Sequence, residues 1–575
     1  MDDTVTSEIL NICEKAASPN RIVAASIHGP HIYGYTGKRK DVDVLLIVES
    51  PRLTLKYRHR RLRSLKDMSV CLLVVDKKTF EKDTERDWLG GLVVENMLTP
   101  HQPLINRDFF WDQEVKVKKR IVNEILGNLV LEYPEMSHEL LIKPEYFMFE
   151  SMARKASLYP PITHRFLDIL ISNAPEEMRE QIMKGFKAAL EEAADEELVT
   201  ISDGHVKIAK KYIDTVQRRK LRVINLLRAV RNAILRHSLE VFPKMMHSLI
   251  EDYALYTRQL FELEYSKEVH LPELEDPKKY LLIPTPLGFV SLSEKVTIED
   301  FVKQTFPDGS NLEVETKKIG GALNAVYMLK LRGTMEEQKI IVKVFKDWYG
   351  WKWFPLALWA LGTRGFAVSG KTRLAKEYAI NRFLSSQGFH VPRIIYISPK
   401  ERLIFQEYVE GENLTSILRQ ISSSKEARTH LYTIISKVGM EVAKAHRLDV
   451  AFGDCKPENI IVAYDQRIFF VDLEQAERGG DQAWDIAELL YYSGHYTSLT
   501  SVEVAQSIAR EFINGYLEAG GKIDNIKRAR SPRYVKVFSF LTPPHILLVI
   551  SNICKEVLKG KSEKDSMEKP AHVIF

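Results

Sequence analysis

The sequence predicts a multidomain protein of mixed α/β and α+β class. Three observations point that way. At 575 residues the chain has room for roughly two to four domains. Strand-period segments dominate residues 22–76 and return after residue 299, while long helical patterns fill the stretch between. Two short β-branched or aromatic runs flank Asp203-Gly204, and two more flank Tyr464-Asp465-Gln466, as in hairpins.

Composition narrows the function. Hydrophobic residues make up 45%, enough for sizeable cores. With 82 basic against 77 acidic residues the net charge is only +5, so any nucleic-acid surface must be local. Cys13, Cys71, Cys455 and Cys554 stand far apart with no C-x-x-C, which excludes a disulfide framework or cysteine zinc site and fits a cytoplasmic protein. Residues 1–14 carry acids and no apolar signal core. The most apolar stretch, 351–361, is shorter than the ~20 residues that span a bilayer, so no membrane partner is expected.

Residues 1–115 form the first predicted domain. A strand over 22–27 leads into H-G-P-H-I-Y-G-Y-T-G-K-R-K-D-V-D-V-L-L-I-V, where Gly29 and Gly34 allow tight turns. Asp41 and Asp43 alternate with Val42 and Val44, which puts both carboxylates on one side of a strand. The pattern resembles the minimal nucleotidyltransferase family: G-S, then D-x-D, then a third Asp on a later strand. Here Pro30 replaces the serine, and Cys71 stands where the third carboxylate belongs, with Asp76 only at the strand's end. The resemblance implies a nucleotidyltransferase-like fold, and these two departures favour one kept for binding RNA or a partner; an active nucleotidyltransferase and a purely structural module are the alternatives.

Residues 116–298 are predicted to be helical, with helices over 115–133, 145–158, 162–172 and 175–194. A hairpin over 198–208 follows, and together these resemble a winged helix of about 161–210, a fold that binds nucleic acid or proteins. Lys207, Lys210, Lys211, Arg218, Arg219, Lys220, Arg222, Arg228, Arg231 and Arg236 come next, with Asp214 the lone acid. Val223, Leu226, Leu227, Val230 and Ile234 interleave at helical spacing, giving an amphipathic helix whose cationic face suits RNA phosphates or plain solvent. An acidic helical segment over 249–268 and Pro272, Pro277, Pro284 and Pro286 lead into the last domain.

Residues 299–575 carry the chemistry. The run I-I-V-K-V-F puts Lys343 inside an apolar strand, where it needs an acidic partner. Residues 317–331 place Gly320 and Gly321 between strand-like runs, where backbone N–H groups could approach phosphates. Residues 450–472 read V-A-F-G-D-C-K-P-E-N-I-I-V-A-Y-D-Q-R-I-F-F-V-D, a loop followed by a hairpin. The hairpin sets Asn459 and Asp472 at one end, where their oxygens suit Mg²⁺. Asp454 could orient an acceptor hydroxyl and Lys456 could reach the transferring phosphoryl group, the few roles that phosphoryl transfer requires.

This half resembles the protein-kinase superfamily. G-D-C-K-P-E-N replaces H-R-D-L-K-P-E-N, D-L-E replaces D-F-G, and W-D-I-A-E follows closely, without an A-P-E segment. These variants are similar to the RIO kinases and to the small kinase subunit of the KEOPS tRNA-modification complex. The resemblance implies a bilobal fold binding ATP and Mg²⁺. It pairs Lys343 with Glu377 and makes F-Q-E-Y-V-E-G a hinge at which Glu407 and Val409 present backbone groups to adenine, with Gln406 behind. It makes Asp485 a structural brace, and it reads Lys371, Arg373 and Lys376 as a basic loop near the substrate. Residues 365–372 also match G-x-x-x-x-G-K-[ST], but the preceding apolar run looks helical and no βαβ unit follows. A kinase of this type behind RNA-associated modules resembles the archaeal tRNA kinases that phosphorylate a 2′-hydroxyl. The alternatives are a RIO-like serine protein kinase or ATPase in ribosome or tRNA maturation, and an ATP-binding RNA scaffold with little transferase activity.

Overall fold

The structure is a computed structural model that describes residues 3–28, 32, 41–63, 69–89, 93–158, 176–218, 275–305, 313–320, 324–332, 337–347, 367, 369–423, 428–496, 502–539 and 541–567. Gly29, Pro30, Gly34, Gly321, residues 365, 366 and 368 of the G-x-x-x-x-G-K-[ST] stretch, the helix over 162–172, the basic run beyond Arg218 and the acidic segment over 249–268 lie outside these residues. The chain divides into two units, 1–283 with 291–293 and 284–290 with 294–575.

The first unit opens with α1 (Asp3–Ala17) and the strands β1 (Arg21–His28), β2 (Asp41–Glu49), β3 (Leu55–Arg61), β4 (Ser69–Asp76) and, after α2 (Lys77–Arg86), β5 (His101–Ile105). They form a sheet of order β3-β4-β2-β1-β5, in which only β2 and β4 run parallel. Alternation decides its faces. Val42, Val44, Leu46, Val70, Leu72 and Val74 point to the side where Val5, Ile9 and Cys13 of α1 close a core. Asp76 accepts from Thr79 N at 2.9 Å and Thr54 N at 2.8 Å, so this carboxylate caps α2 and holds the preceding loop.

Helix α3 (Arg107–Glu132) runs unbroken across the 115/116 boundary read from the sequence. Its fully buried Lys118 donates to Glu114 and to Ile182 O of the helix Glu176–Asp195, tying the two helices together. Around it lie β6 (Leu141–Ile142), α4 (Glu145–Leu158), α5 (Glu176–Asp195), β7 (Val199–Ser202), β8 (His205–Ile208) and α6 (Lys210–Arg218). The β7–β8 turn has Asp203 and Gly204 both at positive φ, 49° and 73°, the backbone a two-residue hairpin needs. β6 pairs with β8 and with β9 (Leu281–Thr285), which precedes β10 (Gly288–Ser291). This pairing, together with contacts of residues 296–301 inside the second unit, explains why the division falls before residue 298: Val296 N donates to Ser398 Oγ at 2.9 Å, and the Phe301 and Phe405 rings stack at 3.9 Å.

The second unit begins with α7 (Ile298–Thr305) and an antiparallel sheet of β11 (Glu313–Gly320), β12 (Ala325–Arg332), β13 (Gln338–Val344), β14 (Ile394–Ser398) and β15 (Leu403–Glu407), ordered β11-β12-β13-β15-β14. Helix α8 (Gly370–Ser386) enters between β13 and β14 in the chain. Next come β16 (Gly411–Asn413), α9 (Leu414–Ser423), α10 (Arg428–Arg447), β17 (Val450–Ala451), β18 (Ile460–Ala463), β19 (Ile468–Phe470) and β20 (Glu477–Arg478). The helices α11 (Gln482–Ser493), α12 (Val502–Glu518), α13 (Ile523–Ala529), α14 (Pro532–Phe538) and α15 (Pro544–Met567) complete it. One core built on Val438, Val442, Ala445, Trp484, Phe512 and Tyr516 holds the helical part. The small sheet β16-β18-β19 brings Asn459 to the end of β18 and Asp472 just past β19. No helix among the described residues is long and apolar enough to cross a membrane.

Candidate active site

Lys343 sits on β13 in the middle of the first sheet of the second unit, where its flanking Ile341 and Val342 make an apolar strand that leaves the ammonium no water. Two carboxylates take its place. Glu377 Oε1 from α8 lies 2.8 Å from Lys343 Nζ, and Asp472 Oδ1 lies 3.1 Å from it. Burial alone would lower the lysine pKa; Asp472 and Glu377 outweigh it and raise the value. Burial also raises Glu377 despite the ammonium beside it, whereas Lys343 and Lys456 overcome burial at Asp472 and lower its pKa. Asp472 adopts φ 65°, a left-handed backbone that turns its side chain back toward β13.

A second cluster forms on the loop after β17. Lys456 Nζ lies 2.7 Å from Asp454 Oδ2, and Asn459 Nδ2 donates to the same oxygen at 3.0 Å and to Asp454 O at 2.9 Å. Asp454 is thus clamped by two donors, and its carboxylate holds the Lys456 pKa up against burial. Pro457 opens a short 3₁₀ turn over Pro457–Asn459 that delivers Asn459 into β18. Val471 N donates to Asn459 O at 2.9 Å, which fixes the spacing of Asn459 and Asp472.

The two clusters share one cleft of about 400 Å³, lined by Lys343, Asp454, Lys456 and Asp472 on its polar side and by Val326, Ile341, Ile461 and Val471 on its apolar side. Glu407, Val409 and Gln406 line it as well, and the buried Gln406 Oε1 has no hydrogen-bond partner among the described residues. Glu377 and Asn459 stand behind the lining side chains. Gly320 ends β11 outside the cleft wall, next to Ile319, which does line it.

The loop that carries Asp454 is itself held rigidly. Asp485 accepts from Phe452 N at 2.7 Å, Gly453 N at 2.6 Å and pairs with His446 Nε2 at 3.1 Å. Glu488 accepts from Cys455 N at 2.7 Å and from Trp484 Nε1 at 3.1 Å. Both carboxylates project from α11 one turn apart, so a single helix face anchors the backbone of Phe452, Gly453 and Cys455 on either side of Asp454.

One expectation needs correction. Lys371, Arg373 and Lys376 lie in a helix, not a loop. Arg373 is fully buried against Glu474, at 3.0 and 3.1 Å to its two oxygens, and donates to Asn324 Oδ1 at 2.7 Å; Lys376 pairs with Glu477 at 2.6 Å. Gly370 N and Ala367 N of the G-x-x-x-x-G-K-[ST] stretch donate to Asp347 Oδ1 at 2.8 Å and Gln475 Oε1 at 2.9 Å. These two amides are committed to the protein, not to a phosphate. Asn324, Glu474 and Glu488 are polar residues of the site that sequence reasoning passed over; the signal for Glu474 was its place two residues after Asp472.

Comparison with known proteins places this geometry. The sequence profile of the lipopolysaccharide kinase (Kdo/WaaP) family matches residues 334–516. The C-terminal unit carries a kinase-type phosphotransferase domain. Subunit Bud32 of the KEOPS complex from Pyrococcus abyssi is 27% identical to the chain over 107 residues, 19% of this chain and 46% of that protein. The 3-deoxy-D-manno-octulosonic acid kinase of Vibrio vulnificus is 26% identical over 149 residues, 25% of this chain and 54% of that protein. A probable serine/threonine-protein kinase BUD32 homolog of Archaeoglobus fulgidus is 28% identical over 177 residues, 28% of this chain and 83% of that protein. The chain spans about half the length of the first two. The matched residues include Lys343, Glu377, Asp454, Lys456, Asn459 and Asp472, and so both clusters.

Proposed function

We propose that the chain is an ATP-dependent RNA kinase that transfers the γ-phosphate of ATP to a tRNA ribose 2′-hydroxyl. The observation that carries the transfer is the shared cleft, with Asp454 facing it between Lys456 and Asn459 and with Lys343 on the opposite wall. In this reading Asp454 is the group that orients an alcohol and accepts its proton. Lys456 steadies the phosphoryl group in flight. Lys343 neutralises the α- and β-phosphates, with Glu377 holding it in place.

The donor set fits the cofactors such a domain implies. No three His, Cys, Asp or Glu side chains among the described residues form a metal cluster on their own. Asp472 and the Asn459 side-chain carbonyl instead offer two hard oxygens, which suits a Mg²⁺ that completes its shell with phosphates and water. The unpartnered Gln406 Oε1 is an acceptor at the hinge end of the cleft, and Glu407 and Val409 stand beside it for an adenine ring. When bound, Mg²⁺–ATP supplies the phosphoryl group and the charge that neutralises it.

The choice of acceptor rests on the chemistry of an alcohol. One relative is named as the kinase of a sugar acid and another as a subunit of KEOPS, so the domain type serves more than one acceptor. A ribose hydroxyl is an alcohol that Asp454 can orient like any other. The third relative's name favours a second reading, a serine protein kinase. Incubation with γ-labelled ATP, Mg²⁺ and tRNA separates them. The proposal expects label in RNA, at a position that resists alkaline cleavage because its 2′-oxygen is blocked. Label confined to protein, or an Asp454→Ala variant that still labels RNA, overturns it.

A further inference from the structure

The outermost strand of the first unit, β3, carries a dense line of unanswered charge. Between residues 52 and 63 the chain has Arg52, Lys56, Arg58, Arg60, Arg61 and Arg63, and no acid. β3 pairs with β4 along one side only and forms the edge of its sheet. Lys56, Arg60, Arg61 and Arg63 are exposed and Arg58 is half-buried. Among the described residues none of these five side chains forms an ion pair; Glu8 of α1 meets the segment at its backbone instead, accepting from Arg63 N at 2.6 Å. Lys56, Arg58 and Arg60 share one face of the strand and stand about 7 Å apart in sequence order, a step comparable to that between successive phosphates of an extended nucleic-acid strand. Arg61 lies on the other face beside His59. His59 there begins a register row that crosses all five strands through Cys71, Asp43, His28 and His101.

We propose that β3 is an RNA-binding strand whose arginines and lysine grip the phosphate backbone. This takes from the proposed function only that the acceptor is RNA. Uncompensated charge at a sheet edge is costly in self-repulsion and gains most from a polyanion. Five of the six cations are arginine, whose planar fork takes two phosphate oxygens at once, a geometry a lysine point charge does not offer. A lipid surface would ask for apolar side chains to insert beside the cations; among the described residues of this edge Leu53 alone is a large exposed hydrophobic. The bases remain free in this arrangement, so binding follows charge and backbone shape and not sequence.

The test uses the full chain and a fluorescein-labelled tRNA transcript, with affinity read by anisotropy from about 50 to about 300 mM salt. The triple variant Arg58→Gln, Arg60→Gln, Arg61→Gln is expected to weaken binding by tenfold or more. It should also lower the slope of log Kd against log salt by about two, near 0.7 to 0.9 for each phosphate that is no longer neutralised. The matching Arg→Lys variant keeps most of the slope, which separates lost charge from lost folding, and ATP turnover without RNA is unchanged in both. An unaltered affinity and slope in the Gln variant overturns the proposal. So does a wild-type chain that ignores tRNA at low salt, or poly-glutamate or phosphatidylserine vesicles that displace tRNA as well as unlabelled RNA does. Strong, β3-dependent binding of a tRNA that never receives label overturns the kinase reading and leaves the strand's role standing.

Discussion

Arg373 Nη1 lies 3.0 Å and 3.1 Å from the two carboxylate oxygens of Glu474, and both residues are buried. Arg373 comes from α8, the helix that also supplies Glu377. Glu474 comes two residues after Asp472, whose oxygen touches Lys343. The ion pair therefore ties the helix behind the cleft to the segment that carries Asp472. Asn324 closes the network, accepting from Arg373 and donating to Glu474. Three chain segments behind the cleft are thus held together by charge and hydrogen bonds.

Truncating one partner of this pair leaves the other buried without its counter-charge. Arg373→Ala is expected to destabilise the second unit by about 3–5 kcal/mol, since a stranded buried carboxylate costs more than a missing hydrogen bond. Arg373→Met combined with Glu474→Leu should recover most of that loss, because both desolvation costs vanish together. Denaturant melts of the single and double variants check this. A single variant within about 1 kcal/mol of the parent would show that water reaches Glu474 and that the pair holds little.

The same pair predicts a pH dependence. Burial, then the Asp472 charge, push the Glu474 pKa from its ordinary 4.5 up to about 8, against the pull of Arg373. The folded chain then binds a proton at Glu474 that the unfolded chain has already released between these two values. Stability contributed by this group is full below pH 4.5 and falls as pH rises toward 8. Glu474→Gln removes the titration, so the stability gap between parent and variant should narrow steadily from about pH 5 to about pH 8. Melting temperatures of both proteins across that range measure it. A gap that widens with pH would place the carboxylate fully ionised throughout, held by Arg373 and Asn324.

Two glycines mark where α10 and α12 cross. A Cβ on Gly439 would stand 2.2 Å from Phe512 O, and one on Gly515 would stand 2.0 Å from Ser436 O. Each glycine thus meets the backbone of the opposite helix. An exposed helix would gain about 0.5–1 kcal/mol from glycine to alanine. At this crossing the helices must part instead, and Gly439→Ala or Gly515→Ala is expected to cost about 1–3 kcal/mol. Calorimetric melts decide the sign, and a stabilised variant would contradict the crossing.

What the sequence reveals follows from how local each signal is. Lys343 shows itself as a charge in an apolar run, and the turn over Asp203-Gly204 as two residues that tolerate positive φ; both need only their neighbours in the chain. Arg373 does not, because the glutamate that buries it lies 101 residues away. Nothing in K-T-R distinguishes a guanidinium turned inward from one in solvent. The cations of β3 follow a strand period, with Lys56, Arg58 and Arg60 on one face, so they form no stripe at helical period and are easily lost in a chain of near-neutral charge. The helix expected from residue 115 starts at Arg107 for a related reason: Arg107–Glu132 is amphipathic only weakly, since it is packed on several sides. The kinase half was the more legible because its polar residues occur as a spaced set around strands, each fixed by a short loop.

Asp485 offers the sharpest test of how the site is positioned. It touches neither lysine nor any other group of the cleft, yet it receives the backbone N–H groups of Phe452 and Gly453 just ahead of Asp454. Gly453 has φ 74°, a conformation the two amide bonds help to hold. An asparagine keeps one acceptor oxygen and turns a donor toward the other amide. Asp485→Asn is therefore expected to cost about 1.5–3 kcal/mol in stability. It should also shift Asp454 enough to lower kcat on the order of 10²-fold, with the KM for ATP unchanged, because Lys343, Glu377 and the hinge end of the cleft do not depend on it. Asp454→Asn should lower kcat by about 10²–10⁴-fold with no loss of stability. Measuring kcat, KM and melting point on the two variants side by side distinguishes a residue that positions from one that reacts. Equal losses of kcat and ATP affinity in Asp485→Asn would mean that the loop collapses as a whole and that its geometry is not set by this carboxylate.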